Sequence, residues 1–182
     1  MNNSVSRKEQ IKKAFMAEYL HKEITDITVS DICASINLSR TAFYHYYSDL
    51  FEVLEDIEDE IINHLSFLNR EFYRVEMHSG ADTIYREMLP TLTYIKANAD
   101  YLKAFLRHRD TDNFHIRWAS IIKSDWQKKY YAGSGHVSNI DVVLTLTAAA
   151  IIGLYEHWFY HLDEFTEREI FDGIFEVLAS IF

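Results

Sequence analysis

Apolar positions recur at helical spacing in segment after segment of this chain. Near the N-terminus Ile11, Ala14, Phe15 and Tyr19 form one face, with Arg7, Lys8, Lys12 and Lys13 on the others, which predicts an amphipathic helix from Val5 to about His21. The run Thr25 to Thr28 interrupts it. Thr28, with Asp31 three residues on, is a capping-box variant that starts a second helix, whose stripe is Val29, Ile32, Cys33 and Ile36. Asn37 then stands where a left-handed residue is wanted, and Ser39 can cap a third helix. In that helix Phe43 and Tyr47 point inward, leaving Arg40, Thr41, Tyr44 and His45 on the outer faces. The result is a tight helix-turn-helix. A short helix with exposed hydrogen-bonding side chains is what base-edge reading in a major groove requires, although an ordinary solvated surface has the same pattern.

Ser48 and Asp49, with Glu52 in the capping-box position, restart the chain into a long periodic segment reaching about Met77: Leu50, Val53, Leu54, Ile57, Ile61, Leu65, Leu68 and Phe72. His78, Ser79 and Gly80 end it. Further helices are predicted over 82–98, kinked or split by Pro90, and over 100–108, 113–131, 140–162 and 166–182. The Gly133-Ser134-Gly135 triplet reads as a loop and not a phosphate cradle, because no Lys-Ser/Thr pair follows. The expected fold is all-α: a helix-turn-helix (homeodomain-like) module over 1–50, then a helical regulatory and dimerisation domain over 51–182.

Composition narrows the classes. Five glycines and one proline in 182 residues are too few punctuators for a many-stranded sandwich or barrel, and 48% hydrophobic residues is ample for a core. Cys33 is the only cysteine, so neither an intrachain disulfide nor a thiolate zinc cluster can form and a reducing compartment suits the chain; it reads as a small core residue. No signal-peptide h-region is seen, and the charge-free run from Val142 to Tyr155 reads as a buried helix rather than a membrane span. A cytoplasmic location is expected, with no membrane partner. The net charge of −10 is unevenly divided, since residues 1–48 hold six Lys/Arg against five Asp/Glu and are net positive by one. DNA affinity follows local charge, so the first segment can bind while the acidic remainder discourages non-specific coating of the duplex.

The stretch TVSDICASINLSRTAFYHYYSDLFEVL, residues 28 to 54, resembles the TetR (tetracycline-repressor-like) family of transcriptional regulators. The shared features are a Thr-capped helix, a short turn, a Ser-initiated recognition helix ending in an aromatic run, and a capped fourth helix. The resemblance implies that Thr28, Ser30, Ser39, Arg40, Thr41, Tyr44, His45 and Tyr46 face DNA. Their chemistry suits it: Arg40 and His45 can donate to purine edges, Thr41 can contact a thymine methyl, and Tyr44, Tyr46 and the capping hydroxyls suit phosphates. Tyr46 could equally be half-buried against the first helix. Three positions depart from the pattern. Asn37 replaces the turn glycine, Thr41 replaces a small residue, and Leu50 stands where the family has a phosphate-contacting lysine. Weaker DNA binding is expected from the last, or compensation by Arg7, Lys8 or the dipole of the fourth helix.

In the C-terminal half, small residues (Ala148, Ala149, Ala150, Gly153) sit among Val143, Leu146, Leu154 and Trp158, and the last helix carries Ile170, Phe171, Ile174, Phe175 and Leu178. Two helices per subunit could therefore form an intersubunit four-helix bundle through Val143, Leu146, Ala150, Gly153, Leu154, Phe171, Ile174, Phe175 and Leu178, or serve a purely intrachain core. A homodimer would set two recognition helices roughly 34 to 36 Å apart on a near-palindromic operator. Aromatic residues gather between 94 and 131 (Tyr94, Tyr101, Phe105, Phe114, Trp118, Trp126, Tyr130, Tyr131). In the family that region encloses an inducer pocket, and aromatic walls suit a small apolar or aromatic effector; core packing explains the same residues.

The function expected is thus a ligand-responsive repressor acting on double-stranded DNA. A TetR-like protein that has lost DNA binding and acts as an interaction module or coactivator is the alternative. No enzyme is expected, nor a cofactor or metal: only Glu18/His21 has the Glu-x-x-His spacing of a di-iron bundle, which needs two. The pair His157/His161 and the group His108, Asp110, Asp112, His115 are the zinc candidates.

Overall fold

The computed structural model describes residues 6–76, 79–107, 114–132 and 138–179. Among these there is no strand. The helices are α1 (Arg7–Tyr19), α2 (Val29–Ser35), α3 (Arg40–Phe43), α4 (Leu50–Phe72), α5 (Ala81–Ala97), α6 (Ala99–Arg107), α7 (Phe114–Ala132), α8 (Ile140–Phe159) and α9 (Glu167–Ala179), with a 3-10 turn over Ile24–Asp26. The chain divides into two compact units, Met1–Ile62 and Asn63–Phe182, and α4 runs from one into the other.

In the first unit Ile11, Phe15 and Tyr19 of α1, Ile32 of α2 and Phe43 of α3 are fully buried. Each removes most of a large apolar side chain from water, worth roughly 1.5–3 kcal/mol. Ser6 caps α1 by accepting from the Glu9 amide. Lys12 was placed on an outer face by the sequence pattern, and here the structure differs: it is buried. Its ammonium is held by Glu60 and, at 2.9 Å, by Asp56. Those carboxylates stand one turn apart on α4, so a single cation meets both. This clamp ties α1 to the first turns of α4, which explains why the first unit extends beyond the start of that helix.

In the second unit α7 packs on α8, α5 and α8 on α9, and α6 on α7 and α8. Pro90 neither splits nor ends α5, which continues through it; the cost is one helical hydrogen bond, that to the Arg86 carbonyl. Trp158 is fully buried and donates from its indole to the Phe165 carbonyl at 3.0 Å, fixing the turn before α9. Phe105 and Phe114 pack at 5.0 Å between centroids. The helix α8 is long and apolar enough to cross a bilayer by length and composition, with 44% of its most apolar window buried. Leu144, Thr147, Ala148, Ile151, Ile152, Tyr155, Trp158 and Phe159 form its buried face. The other face leaves Val142 and Leu146 exposed at 57% and 67%. The helix read from sequence as buried is thus buried on one face and exposed on the other.

The nine residues proposed from sequence for a dimer interface separate in the same way. Leu146, Ala150 and Gly153 are exposed and Val143, Leu154 and Phe175 partly so. Phe171, Ile174 and Leu178 are buried within the chain's own core; Phe171 packs against Tyr85 of α5 at 5.2 Å. Their side of α9 faces α5 and α8, so these three are unavailable to a partner. The Gly133–Gly135 triplet and His108, Asp110 and Asp112 lie outside the described residues.

Candidate nucleic-acid interface

The turn between α2 and α3 is built by local chemistry. Thr28 accepts from the Asp31 amide at 3.1 Å to cap α2. Asn37 takes φ 51°, the left-handed conformation, and the Leu38 amide returns to the Cys33 carbonyl at 2.9 Å. An asparagine holds that conformation at modest cost, so the turn forms without glycine. Ser39 caps α3 by accepting from the Ala42 amide at 3.1 Å.

The regular part of α3 is only four residues long. Beyond it the bonds tighten: the His45 amide reaches the Ala42 carbonyl and the Tyr46 amide the Phe43 carbonyl, both at three-residue spacing. The recognition segment is therefore one helical turn followed by a 3-10-like turn, shorter than the pattern suggested. Phe43 and Tyr47 anchor it from below and are buried. Ser48 donates from both its amide and its hydroxyl to Glu52 Oε2, while Asp49 accepts from the Glu52 amide at 2.9 Å. The Ser48 hydrogen bonds hold the Glu52 carboxyl below its usual range.

All eight residues assigned to DNA by sequence, Thr28, Ser30, Ser39, Arg40, Thr41, Tyr44, His45 and Tyr46, are exposed. Tyr46 is 38% exposed and Tyr44 49%. Tyr44 is steadied edge-on against Phe43, at 5.5 Å and 90°. Their donor states differ in a way the sequence did not show. The Ser39 hydroxyl accepts from the backbone and keeps its own proton to give, whereas Thr28 already donates to Asp31 Oδ2 at 2.6 Å. Thr28 is thus a cap first, and its neighbour Asp31 repels a phosphate.

Of the basic residues on α1, Lys12 is consumed by the buried clamp and Lys8 leans on Asp56 at 3.6 Å and over the Tyr47 ring at 4.9 Å. Among the described residues Arg7 bonds the neutral Gln10 and meets no carboxylate. Leu50, at the position of the expected lysine, is 7% exposed and belongs to the core. Cys33 is buried, and desolvation pushes its thiol up despite the nearby Arg40 charge, so it is a packing residue.

In the second unit a small cavity of about 20 Å³ lies among Leu65, Asn69, Met88, Thr91, Trp118, Trp126, Ile151 and Tyr155. Of the aromatic residues singled out by sequence, Trp118 and Trp126 line it. Phe105, Phe114 and Tyr130 are core, Tyr131 is exposed, and Tyr94 packs on His64 at 4.4 Å. Thr91 donates to Asn69 Oδ1 at 2.7 Å across the cavity wall. Sequence reasoning missed Asn69 and Thr91 because each looks like an ordinary polar residue on an amphipathic helix. His157 and His161 pack at 4.4 Å between ring centroids, but no group of three His, Cys, Asp or Glu that could hold a metal gathers among the described residues.

No family model matches the sequence. One curated relative, the "Uncharacterized HTH-type transcriptional regulator YxbF" of Bacillus subtilis (strain 168), is 22% identical over 125 residues, 66% of this chain and 31% of that protein. The chain thus aligns with less than a third of that relative's length. Solved structures are similar over almost the whole chain. A TetR transcriptional regulator from Streptococcus agalactiae 2603V superposes with TM-score 0.70 at 19% identity, covering 93% of this chain and 91% of that one. The dihydroxyacetone kinase operon activator DhaS gives 0.62 at 20%, covering 96% and 95%. Thermus thermophilus FadR, a TetR-family repressor solved in complex with lauroyl-CoA, gives 0.58 at 16%, covering 95% and 93%. The chain has the all-α fold of TetR-family transcriptional regulators, with an N-terminal helix-turn-helix and a C-terminal helical domain.

Proposed function

We propose that this chain, with that fold and an uncovered recognition segment, is a DNA-binding transcriptional regulator that works as a homodimer, is responsive to a ligand, and represses where its operator overlaps a promoter. The observation that carries the reading is the simultaneous exposure of Arg40, Thr41, Tyr44, His45 and Tyr46 on a turn pinned from beneath by Phe43 and Tyr47. Arg40 and His45 supply donors for purine edges, Thr41 a methyl contact, and Ser39, Tyr44 and Tyr46 hydroxyls for phosphates. Ser30 is exposed beside them. Without the lysine at position 50, fewer charges hold the backbone, so affinity should fall less steeply with salt than for a protein making many phosphate contacts.

The dimer is supported by the exposed stripe Val142, Leu146, Ala149, Ala150 and Gly153 on α8. Gly173 of α9 lies beside it, a Cβ there coming 3.7 Å from Leu154 Cδ2, and exposed Val177 continues the surface. Small residues between apolar ones let a second copy approach closely. Several relatives are regulators with ligands or metabolic operons in their descriptions, among them the lauroyl-CoA complex and the kinase operon activator, which supports a sensory role for the second unit. Titrating a labelled random-sequence duplex at low salt, with mass in solution measured alongside, tests the reading. A dimer that binds with a salt-dependent affinity supports it, and a monomer or a chain that leaves the duplex free overturns it.

A further inference from the structure

The cavity in the second unit shares a wall with a second, very different space. An open cleft of about 490 Å³ lies between α4 and α7, lined by Ser66, Arg70, Tyr73, Ser120, Ile121, Ser124, Asp125 and Lys128. Tyr73 lines both spaces. One side of it is apolar and aromatic; the other, also largely apolar, carries Arg70 and Lys128 with the Asp125 carboxylate of α7.

The cleft carries hydrogen-bond donors from both helices. Ser66 and Arg70 stand one turn apart on α4, and Ser120, Ser124 and Lys128 stand on successive turns of α7. Arg70 meets only the Phe67 ring, at 5.4 Å, and no carboxylate among the described residues. Elsewhere in this unit Lys96, Lys123 and Arg168 are each paired with a carboxylate. Arg86 and Lys103 of this unit likewise meet no carboxylate side chain among the described residues, but Arg70 is the one that lines this cleft. Lys128 carries a 2.9 Å bond to Asp125, which offsets part of its charge. With Asp125 offsetting Lys128, the cleft keeps the net charge of Arg70 and three hydroxyls, which suit a carboxylate or phosphate that accepts several hydrogen bonds at once.

On the inner side Trp126 meets Tyr73 edge-on at 5.3 Å, and Trp118 stacks on Tyr155 at 5.5 Å. The cavity now has room for about one water. An apolar chain passing inward from the cleft displaces Tyr73, which lines both spaces, and Met88 supplies an adaptable side chain in the cavity lining.

We infer that the second unit binds an amphipathic anion, its carboxylate or phosphate head between Arg70 and Lys128 and its apolar chain passing Tyr73 into the cavity bounded by Trp118, Trp126 and Met88. This deepens the proposed sensory role and rests on it only for the regulatory consequence. Tryptophan emission of the full chain, titrated in parallel with octanoate, octyl phosphate and octanol, tests it, because two of the three tryptophans line the cavity. At least one anion is expected to give a saturable change with roughly tenfold or more higher affinity than octanol. Whichever anion binds more tightly identifies the head. R70Q/K128Q should bring that anion to the affinity of octanol, and S124E should do so by repulsion, while both variants keep the far-UV spectrum and the duplex affinity of the wild type. The inference is overturned if no anion binds, if octanol binds as tightly as either anion, or if the variants bind as the wild type does. Duplex affinity is measured separately, so failure here is distinguishable from failure of DNA reading.

Discussion

The phenol of Tyr47 donates to Asp56 Oδ2 at 2.7 Å, joining the last residue under the recognition segment to the second turn of α4. The same carboxylate takes Lys12 at 2.9 Å. One aspartate thus fixes both the floor of the exposed α3 turn and the first helix. Removing the phenolic oxygen alone, in Tyr47→Phe, should cost about 1.5 kcal/mol, the low end for a hydrogen bond to a charged group because Lys12 stays in place. Denaturant unfolding of the isolated change measures it, and an unchanged midpoint would show the bond to be idle.

Acid should act through the same cluster. Burial pushes the Asp56 carboxyl up, but hydrogen bonds from Tyr47 and Lys12 and the charges of Lys12 and Lys8 outweigh it, leaving its pKa below the usual aspartate value. A lowered folded-state pKa contributes stability that is complete above the ordinary aspartate range and is lost as pH falls through the lowered value. Unfolding midpoints should therefore drop below about pH 4, and less so in Asp56→Asn. Equal acid sensitivity in the two proteins would contradict the assignment.

At position 50 stability and DNA contact oppose each other. Leu50 is buried in the core where a lysine was expected. Leu50→Lys should cost about 1–2 kcal/mol in lost apolar burial, since the stem can still lie along the core while the ammonium reaches solvent. It should also steepen the salt dependence of duplex binding by about 0.9 in log-log slope, the signature of one added phosphate contact. Titrations at several salt concentrations measure the slope.

Much of this unit was legible in the sequence. The caps at Thr28, Ser39 and Ser48/Asp49, the left-handed Asn37 and the exposure of Arg40 to Tyr46 depend on neighbours within a few residues, so local pattern carries them. Lys12 was misplaced because its partners Asp56 and Glu60 lie more than forty residues away, and no helical period reveals a buried cation clamp. The cavity pair Thr91 and Asn69 was invisible for the same reason. Phe171, Ile174 and Leu178 were assigned to a partner because an apolar stripe does not say whether its own chain or a second copy covers it.

Those last residues make a contrast that separates core from interface. Phe171→Ala should destabilise the protomer by about 3–5 kcal/mol, the range for emptying a buried aromatic site. Leu146→Glu, at an exposed position, should leave the protomer's helicity intact and yield a monomer in sedimentation. A dimeric Leu146→Glu protein would move the interface elsewhere.

The central claim, that the turn from Arg40 to Tyr46 reads a duplex, is tested most directly by selecting bound fragments from random double-stranded DNA at low salt, with the wild type beside Arg40→Ala/Tyr44→Ala. Both side chains are exposed, so the variant should keep its fold. The wild type should enrich one near-palindromic sequence with half-sites about one helical turn apart, and the variant should enrich none. Recovery of the same sequence by both proteins, or of no sequence by either, would contradict the account.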